Sequence, residues 1–351
     1  MHRQGPSSLR LTLDTPMKKL MKTTNETTLQ KTLGRRSLGK VGMILGGVLF
    51  LSGAIVRADS FGTGANGFTL DFVVVGNAGN GNDAGTGGSY GGVAYDYRMG
   101  VNEISQAAIN AAVAGGLTGM TAGNWSGNQP ATSINWYQAA AFTNWLNTST
   151  GHVAAYQLNA GLTEMTVWSS ADAWQVGGEN LYRNKDAYYF LPSENEWYKA
   201  AYQKNDGVTA NYWDYPTGSN SAPIAVASGT GAGTAVYDDG YAGSEPASVF
   251  SAGGLSAYGT MGQGGNVFEW METAYDGINN SSSEWRGIRG GYWGYPEHVL
   301  RSSDRHDNLP PSNLLHILGF RVASVPEPSA AMLIISAGML ALARRRTRAA
   351  L

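Results

Sequence analysis

Three histidines, His298, His306 and His316, fall close together near the end of the chain's central body. They are the right residue type for a nitrogen-ligated metal. Their spacing matches no ligand motif, and surface histidines explain them as well. Gly87-Gly88-Ser89-Tyr90-Gly91 satisfies G-x-S-x-G, the turn that presents a nucleophilic serine. That chemistry needs a strand before the serine and a helix after it, and this glycine-rich stretch offers neither. Gly76, Gly79 and Gly81 follow an apolar run, but they lack the G-x-G-x-x-G spacing and a following helix, which argues against a nucleotide. Asp238-Asp239 suits a turn or a hard cation. The chain holds no cysteine, which excludes disulfides, thiolate nucleophiles and every cysteine-based metal site.

The elements that would position such residues follow from pattern. Phe68–Val75 (FTLDFVVV) alternates and then runs apolar, which predicts a strand, and a second strand is expected over Val93–Met99 beyond a Gly/Asn/Asp-rich loop. Ser105–Val113 reads as a short helix capped by Ser105. Ile134–Leu146 reads as a helix with Asn135 as its cap and Trp136, Ala140 and Trp145 near one face. Ser193-Glu194-Asn195-Glu196 is a capping box opening a helix over Glu194–Gln203. From Asn205 to Tyr258 the pattern is turns and short extended pieces. Helices in the first half and irregular strands in the second predict an α+β, loop-rich single domain without internal repeats.

Charge divides the chain into three. Residues 1–58 carry ten basic and two acidic side chains, residues 325–351 four and one, and residues 59–324 ten and 23. The acidic body argues against nucleic acid as a partner. Its 48 glycines, ten Trp and 18 Tyr, counted over the whole chain, describe irregular backbone pinned by large rings. Val41–Val56 is an uncharged apolar run after a basic segment, the pattern of a secretory signal with cleavage after Ala58. Arg35-Arg36 before it fits a twin-arginine signal or an ordinary basic n-region equally, and Met17 or Met21 is an alternative start. At the other end, Val325-Pro326-Glu327-Pro328 precedes apolar Ser329–Ala343 and then Arg344-Arg345-Arg346. Such a helix rises only about 22 Å against a hydrocarbon core of roughly 30 Å. This order resembles the PEP-CTERM sorting tail of Gram-negative bacteria. The resemblance implies transient inner-membrane insertion with the Arg cluster cytoplasmic, cleavage by an exosortase, and a final place in the periplasm, at the outer surface or in the extracellular matrix.

Within the body, five blocks resemble the formylglycine-generating-enzyme/sulfatase-modifying-factor family, in family order over roughly Phe68–Val322. They are Tyr97-Arg98-Met99-Gly100 with Glu103; Asn135-Trp136-Tyr137-Gln138-Ala139 with Phe142, Asn144, Trp145 and Leu146; Leu191 to Trp197, similar to RLPTEAEW; Gly265 to Trp270, similar to GNVWEW; and Arg289-Gly290-Gly291-Tyr292-Trp293 with Arg301, Arg305 and Gly319-Phe320-Arg321-Val322. The resemblance implies a C-type-lectin-like fold for residues 59–324 and, in catalytic members, oxidation of a substrate cysteine with copper held by two cysteines. Those cysteines would lie in Gly294–Arg301, where this chain has none, so copper and sulfatase modification are not expected. The resemblance also implies a calcium site from the carbonyls of Gly265 and Val267 and the carboxylate of Glu269, with Gly262 standing where a further ligand belongs. The alternative for Glu269 is a buried ion pair with an Arg of the Arg289-Gly290-Gly291 region. Phe190 replaces the motif's first Arg and removes one buried cation. Arg289, Arg301, Arg305 and Arg321 are expected to pair with Glu269, Glu272 or Asp304.

Two functions follow from the resemblance. One is an exported, non-catalytic surface module that binds a polysaccharide or other surface ligand through the Tyr292–His316 loop, with Trp293, Tyr295, His298, Arg301 and Arg305 as contacts and exposed rings stacking on sugars. The other is a metal-dependent oxidoreductase using histidines and carboxylates in the same groove.

Overall fold

The computed structural model describes residues 56–120, 123–238, 245–305 and 308–326. The export segment up to residue 55, Asp239, His306 and the Pro-Glu-Pro tail from Glu327 onward lie outside the described residues. In chain order the main elements are β1 (Val56–Phe61), β2 (Phe68–Val75), β3 (Tyr97–Gly100), α1 (Gln106–Ala114), α2 (Trp136–Ser149), β4 (Ala173–Trp174), β5 (Asn180–Asn184), β6 (Tyr189–Phe190), α3 (Glu194–Tyr202), β7 (Phe268–Ala274), β8 (Arg286–Arg289), β9 (Asn308–Leu309), β10 (Leu318–Gly319) and β11 (Ala323–Ser324). Among the described residues no helix is long and apolar enough to cross a membrane.

Two sheets organise the body. The first runs β1-β2-β3-β11-β6 and is antiparallel throughout; the second runs β9-β8-β7-β10, with β7 parallel to β10. The fold is therefore α+β and loop-rich, and the described residues fall in one compact unit. All three helices start on the caps that the sequence predicts. The Ser105 side chain accepts from the Ala108 N–H, and Asn135 with Gln138, and Ser193 with Glu196, close reciprocal capping boxes.

Several boundaries differ from expectation; α1 and α2 run on to Ala114 and Ser149, past Val113 and Leu146. The second strand starts at Tyr97, because the Val93 N–H donates to Asn80 Oδ1 and its carbonyl accepts from Gly79, tying that stretch to the loop instead of to β2. Helix α3 ends one residue early, where Gln203 turns extended (ψ 137°) and bridges to Tyr212. Strand β1 begins at Val56, three residues before the expected boundary, pairing Val56 with Val73 and Ala58 with Asp71.

The large rings fill the centre. Trp136, Trp197 and Trp270 are wholly buried, and each indole N–H finds an acceptor: Met271 O, Glu269 Oε2 and Ile134 O. A chain with only 14% charged residues also buries Arg98, Arg183, Arg286, Arg289 and Arg321 together with Glu103, Glu194, Glu196, Glu269 and Glu272. Arg98 on β3 ties β1 to β11 across the first sheet. Its guanidinium holds Asp59 of β1 in a forked pair (2.7 and 3.0 Å) and donates from Nε to Ser324 Oγ of β11 (2.8 Å) and to the Val325 carbonyl (3.3 Å). The Tyr189 hydroxyl adds a bond to Asp59, and the Phe72 and Tyr188 rings flank the cation.

Candidate functional site

The loop after β8 opens with Arg289-Gly290-Gly291. Gly291 (φ +77°) lets the chain turn inward, where a Cβ would lie 2.8 Å from Val299. Trp293 is drawn into the interior by this turn. It is only 5% exposed, packs with Val236, Ala247 and Val267, and meets Trp125 edge-on at 5.5 Å. The sequence expectation of an exposed ring here is corrected: buried against apolar neighbours, this indole has no face to offer a sugar. Tyr295 is half-buried beside Tyr292 and Phe268 and lines a small apolar recess with Ile288, Leu309, Leu315 and Ile317.

Glu297–Leu300 forms a single 3₁₀ turn. Its Val299 and Leu300 point inward onto Tyr215 and Tyr237, and His298 faces outward. Arg301 is exposed; its Nε donates to the Tyr215 hydroxyl (2.7 Å), and Glu297 stands 3.7 Å away in a solvent-facing pair. Arg305 instead grips Glu194 (2.9 Å) and the Tyr275 carbonyl. One turn thus presents Tyr295, His298 and Arg301, while Trp293 and Arg305 serve packing and pairing. His316 lies against Trp293, at 5.9 Å between rings. Among the described residues no three His, Asp or Glu side chains gather as a metal site.

Glu269 sits on β7 beneath this loop, wholly buried. Arg321 binds both of its oxygens (2.6 and 2.7 Å), and Trp197 Nε1 donates to one of them (2.8 Å). The partner is therefore Arg321 and not an Arg next to Gly290. Arg321 with Glu269 is one of the pairings expected of the four arginines, and the others differ: Arg289 and Arg305 share Glu194, and Glu272 belongs to Arg183. Glu103 fills the space beside Gly262, where a Cβ would sit 3.2 Å from its carboxyl, and accepts from Asn266 Nδ2 (2.5 Å) and the Val267 N–H (3.2 Å). Burial and then the charge of Glu269 push the Glu103 carboxyl well above its usual range, against the pull of Arg321. With a guanidinium on both Glu269 oxygens and no side chain at Gly262, the set Gly265, Val267 and Glu269 does not fit a calcium ion, which takes six to eight oxygen ligands.

A second buried centre was not legible in sequence. Arg183 on β5 clasps Glu196 (2.9 and 3.0 Å) and Glu272 (2.6 and 2.9 Å) at once. The Tyr95 and Tyr156 hydroxyls and Asn180 Nδ2 donate to the same carboxylates. Burial works to raise Glu196, but Arg183 and the hydrogen bonds outweigh it and hold this carboxyl below its usual value. Glu272 goes the other way: burial, with the like charge of Glu196, leaves it raised despite Arg183. The cation missing at Phe190 is thus supplied from Arg183, and the only sequence signal was an isolated Arg among aromatic residues in a body with ten basic side chains.

The sequence profile described as "Sulfatase-modifying factor enzyme 1-like domain" matches residues 79–325, and a "PEP-CTERM protein-sorting motif" matches residues 324–348. Among solved structures the chain is similar to Treponema denticola variable protein 1, at 22% identity over 77% of this chain and 99% of that one, with a TM-score of 0.52. PvdO from Pseudomonas aeruginosa gives 18% identity over 76% and 98% (TM-score 0.49), and CarF 18% over 78% and 97% (0.48). No curated protein matches the chain. At these identities the structural likeness speaks to fold alone.

Proposed function

The chain belongs to the sulfatase-modifying factor enzyme 1-like domain family, and from that premise we propose that its body is a non-catalytic module that binds a polysaccharide or other ligand at the cell surface. Its sorting motif marks it as an exported protein processed by an exosortase-type system. Transient insertion of the tail in the inner membrane, and loss of the export segment after Ala58, belong to the same proposal. The mass of the mature protein from native cells tests both cuts.

The observation that carries the reading is the turn between Gly294 and Arg301. Catalytic relatives are expected to hold copper-binding thiols there. This chain instead uses the stretch to anchor Val299 and Leu300 in the interior and to hold Tyr295, His298 and Arg301 at the surface. A half-buried ring beside two nitrogen donors is the chemistry that recognises a hydroxylated surface. Arg301 is oriented by Tyr215, so its fork is partly ordered before any ligand arrives.

Binding of the exported protein to an array of bacterial polysaccharides tests this, with Tyr295→Ala and Arg301→Ala expected to lose the signal. Retention in both variants removes the site from this turn. Conversion of a cysteine-containing sulfatase peptide to its formylglycine form would overturn the non-catalytic reading itself.

A further inference from the structure

Above the Arg183 centre lies a polar cavity of about 270 Å³, away from the turn that carries Tyr295 and sharing none of its residues. Its lining includes Trp174, Ser193, Asn195 and Thr273, with Arg183 at the floor. We propose that this cavity is a separate binding site for a single uncharged sugar ring. The volume falls just below the roughly 300–1,000 Å³ typical of ligand pockets, which suits one ring and not an extended chain.

Unspent hydrogen-bonding capacity points to a hydroxylated ligand. Asn195 accepts the Gly91 N–H at Oδ1 (3.0 Å), while among the described residues its Nδ2 has no acceptor. Thr273 Oγ1 accepts from the Glu194 N–H (2.8 Å) and Ser193 Oγ from the Glu196 N–H (3.3 Å), so each hydroxyl still has its own proton to donate. Half-buried Trp174 supplies an apolar wall for the C–H side of a ring. The wall opposite is preformed: Asn279 Nδ2 donates to Asn180 Oδ1 (2.9 Å), and Asn180 Nδ2 to Glu272 (2.6 Å).

Charge decides between sugars. One guanidinium, Arg183, faces two carboxylates, Glu196 and Glu272, and bonds both of them and the Leu191 carbonyl, so its single charge is already more than matched. Exposed Glu179 adds a further carboxylate at the rim. An acidic sugar would meet net negative charge, which does not repel a neutral ring.

Titration of the full exported protein with the methyl glycosides of glucose, galactose, mannose and N-acetylglucosamine, followed by ligand-observed NMR, tests the site. At least one glycoside should bind, and methyl glucuronide should bind at least tenfold more weakly. Asn195→Asp keeps the acceptor for Gly91 and removes the open donor. It should weaken the neutral sugar at least tenfold while leaving the melting curve in place. Tyr295→Ala should not change this binding, which separates the site from the surface turn. Absence of binding by all four glycosides, or binding that survives Asn195→Asp, overturns the proposal. So does binding that is lost in Tyr295→Ala.

Discussion

The guanidinium of Arg183 lies over the ring of Phe190, 3.6 Å from its centre. Phe190 stands where the resembled motif begins with Arg; here the cation comes from Arg183 on β5, with Phe190 as its apolar floor. A buried pair of carboxylates then keeps its counter-charge, and the ring shields it from water.

This arrangement predicts a swap. Arg183→Met leaves Glu196 and Glu272 uncompensated and should cost about 3–5 kcal/mol. Phe190→Arg alone places a second cation against the first and should also destabilise, by at least about 2 kcal/mol. The double variant restores one cation to the centre and should recover about half of the Arg183→Met loss. Urea denaturation of the three variants reads all the terms, and strict additivity would show that the two positions do not share one function.

Arg286 is the contrasting case. It is wholly buried between the rings of Trp136 (4.6 Å) and Tyr182 (4.2 Å), its Nε has no partner, and no carboxylate pairs with it among the described residues. Burial holds its pKa below the ordinary value for arginine. Met at this position fills the same slot without a desolvated charge, so Arg286→Met should change stability by about 1 kcal/mol or less, far below the cost at Arg183. A loss matching that of Arg183→Met in the same urea series would contradict this.

The raised carboxyl of Glu103 sets a pH dependence. Folding tightens its hold on a proton, so its contribution to stability is fully present at low pH. That contribution shrinks as pH rises from the ordinary carboxylate range through the raised folded value. Glu103→Gln removes this titration. The stability of the variant relative to the parent should therefore improve as pH rises from about 4.5 toward neutrality, by at most about 1.4 kcal/mol per pH unit. A flat difference across that window, from denaturation curves at several pH values, would mean that Glu103 titrates normally.

Arg321 takes the place that a cation would need at Glu269. A chelator should therefore leave the melting temperature unchanged, and Arg321→Met should cost about 3–5 kcal/mol by stranding a buried carboxylate. A melting temperature that falls on chelation and returns with added calcium would reinstate Gly265, Val267 and Glu269 as ligands.

Local signals were legible wherever one residue type has one local use. Phe68–Val75 alternates on a half-buried face, and Ser105, Asn135 and Ser193 each cap a helix because a short side-chain oxygen reaches a free N–H two or three residues on. Position 293 was misread because a tryptophan in a loop has no periodicity to declare its side; the turn at Gly291 decides it. Arg183 was missed because pairing across distant strands depends on the sheet and leaves no spacing rule behind. Glu269 stood between two readings, and only the approach of Arg321 from the far end of the chain resolves its environment.

The clasp made by Arg98 has a consequence for how the protein matures. One guanidinium holds Asp59, which would become the first residue after the expected export cut, and Ser324 and Val325, where the sorting tail starts. A cut after Ala58 would take Val56–Ala58 out of β1 and leave Asp59 in the clasp. The domain is a loop fastened at its own seam: one side chain holds Asp59 near its start and Ser324 and Val325 near its end.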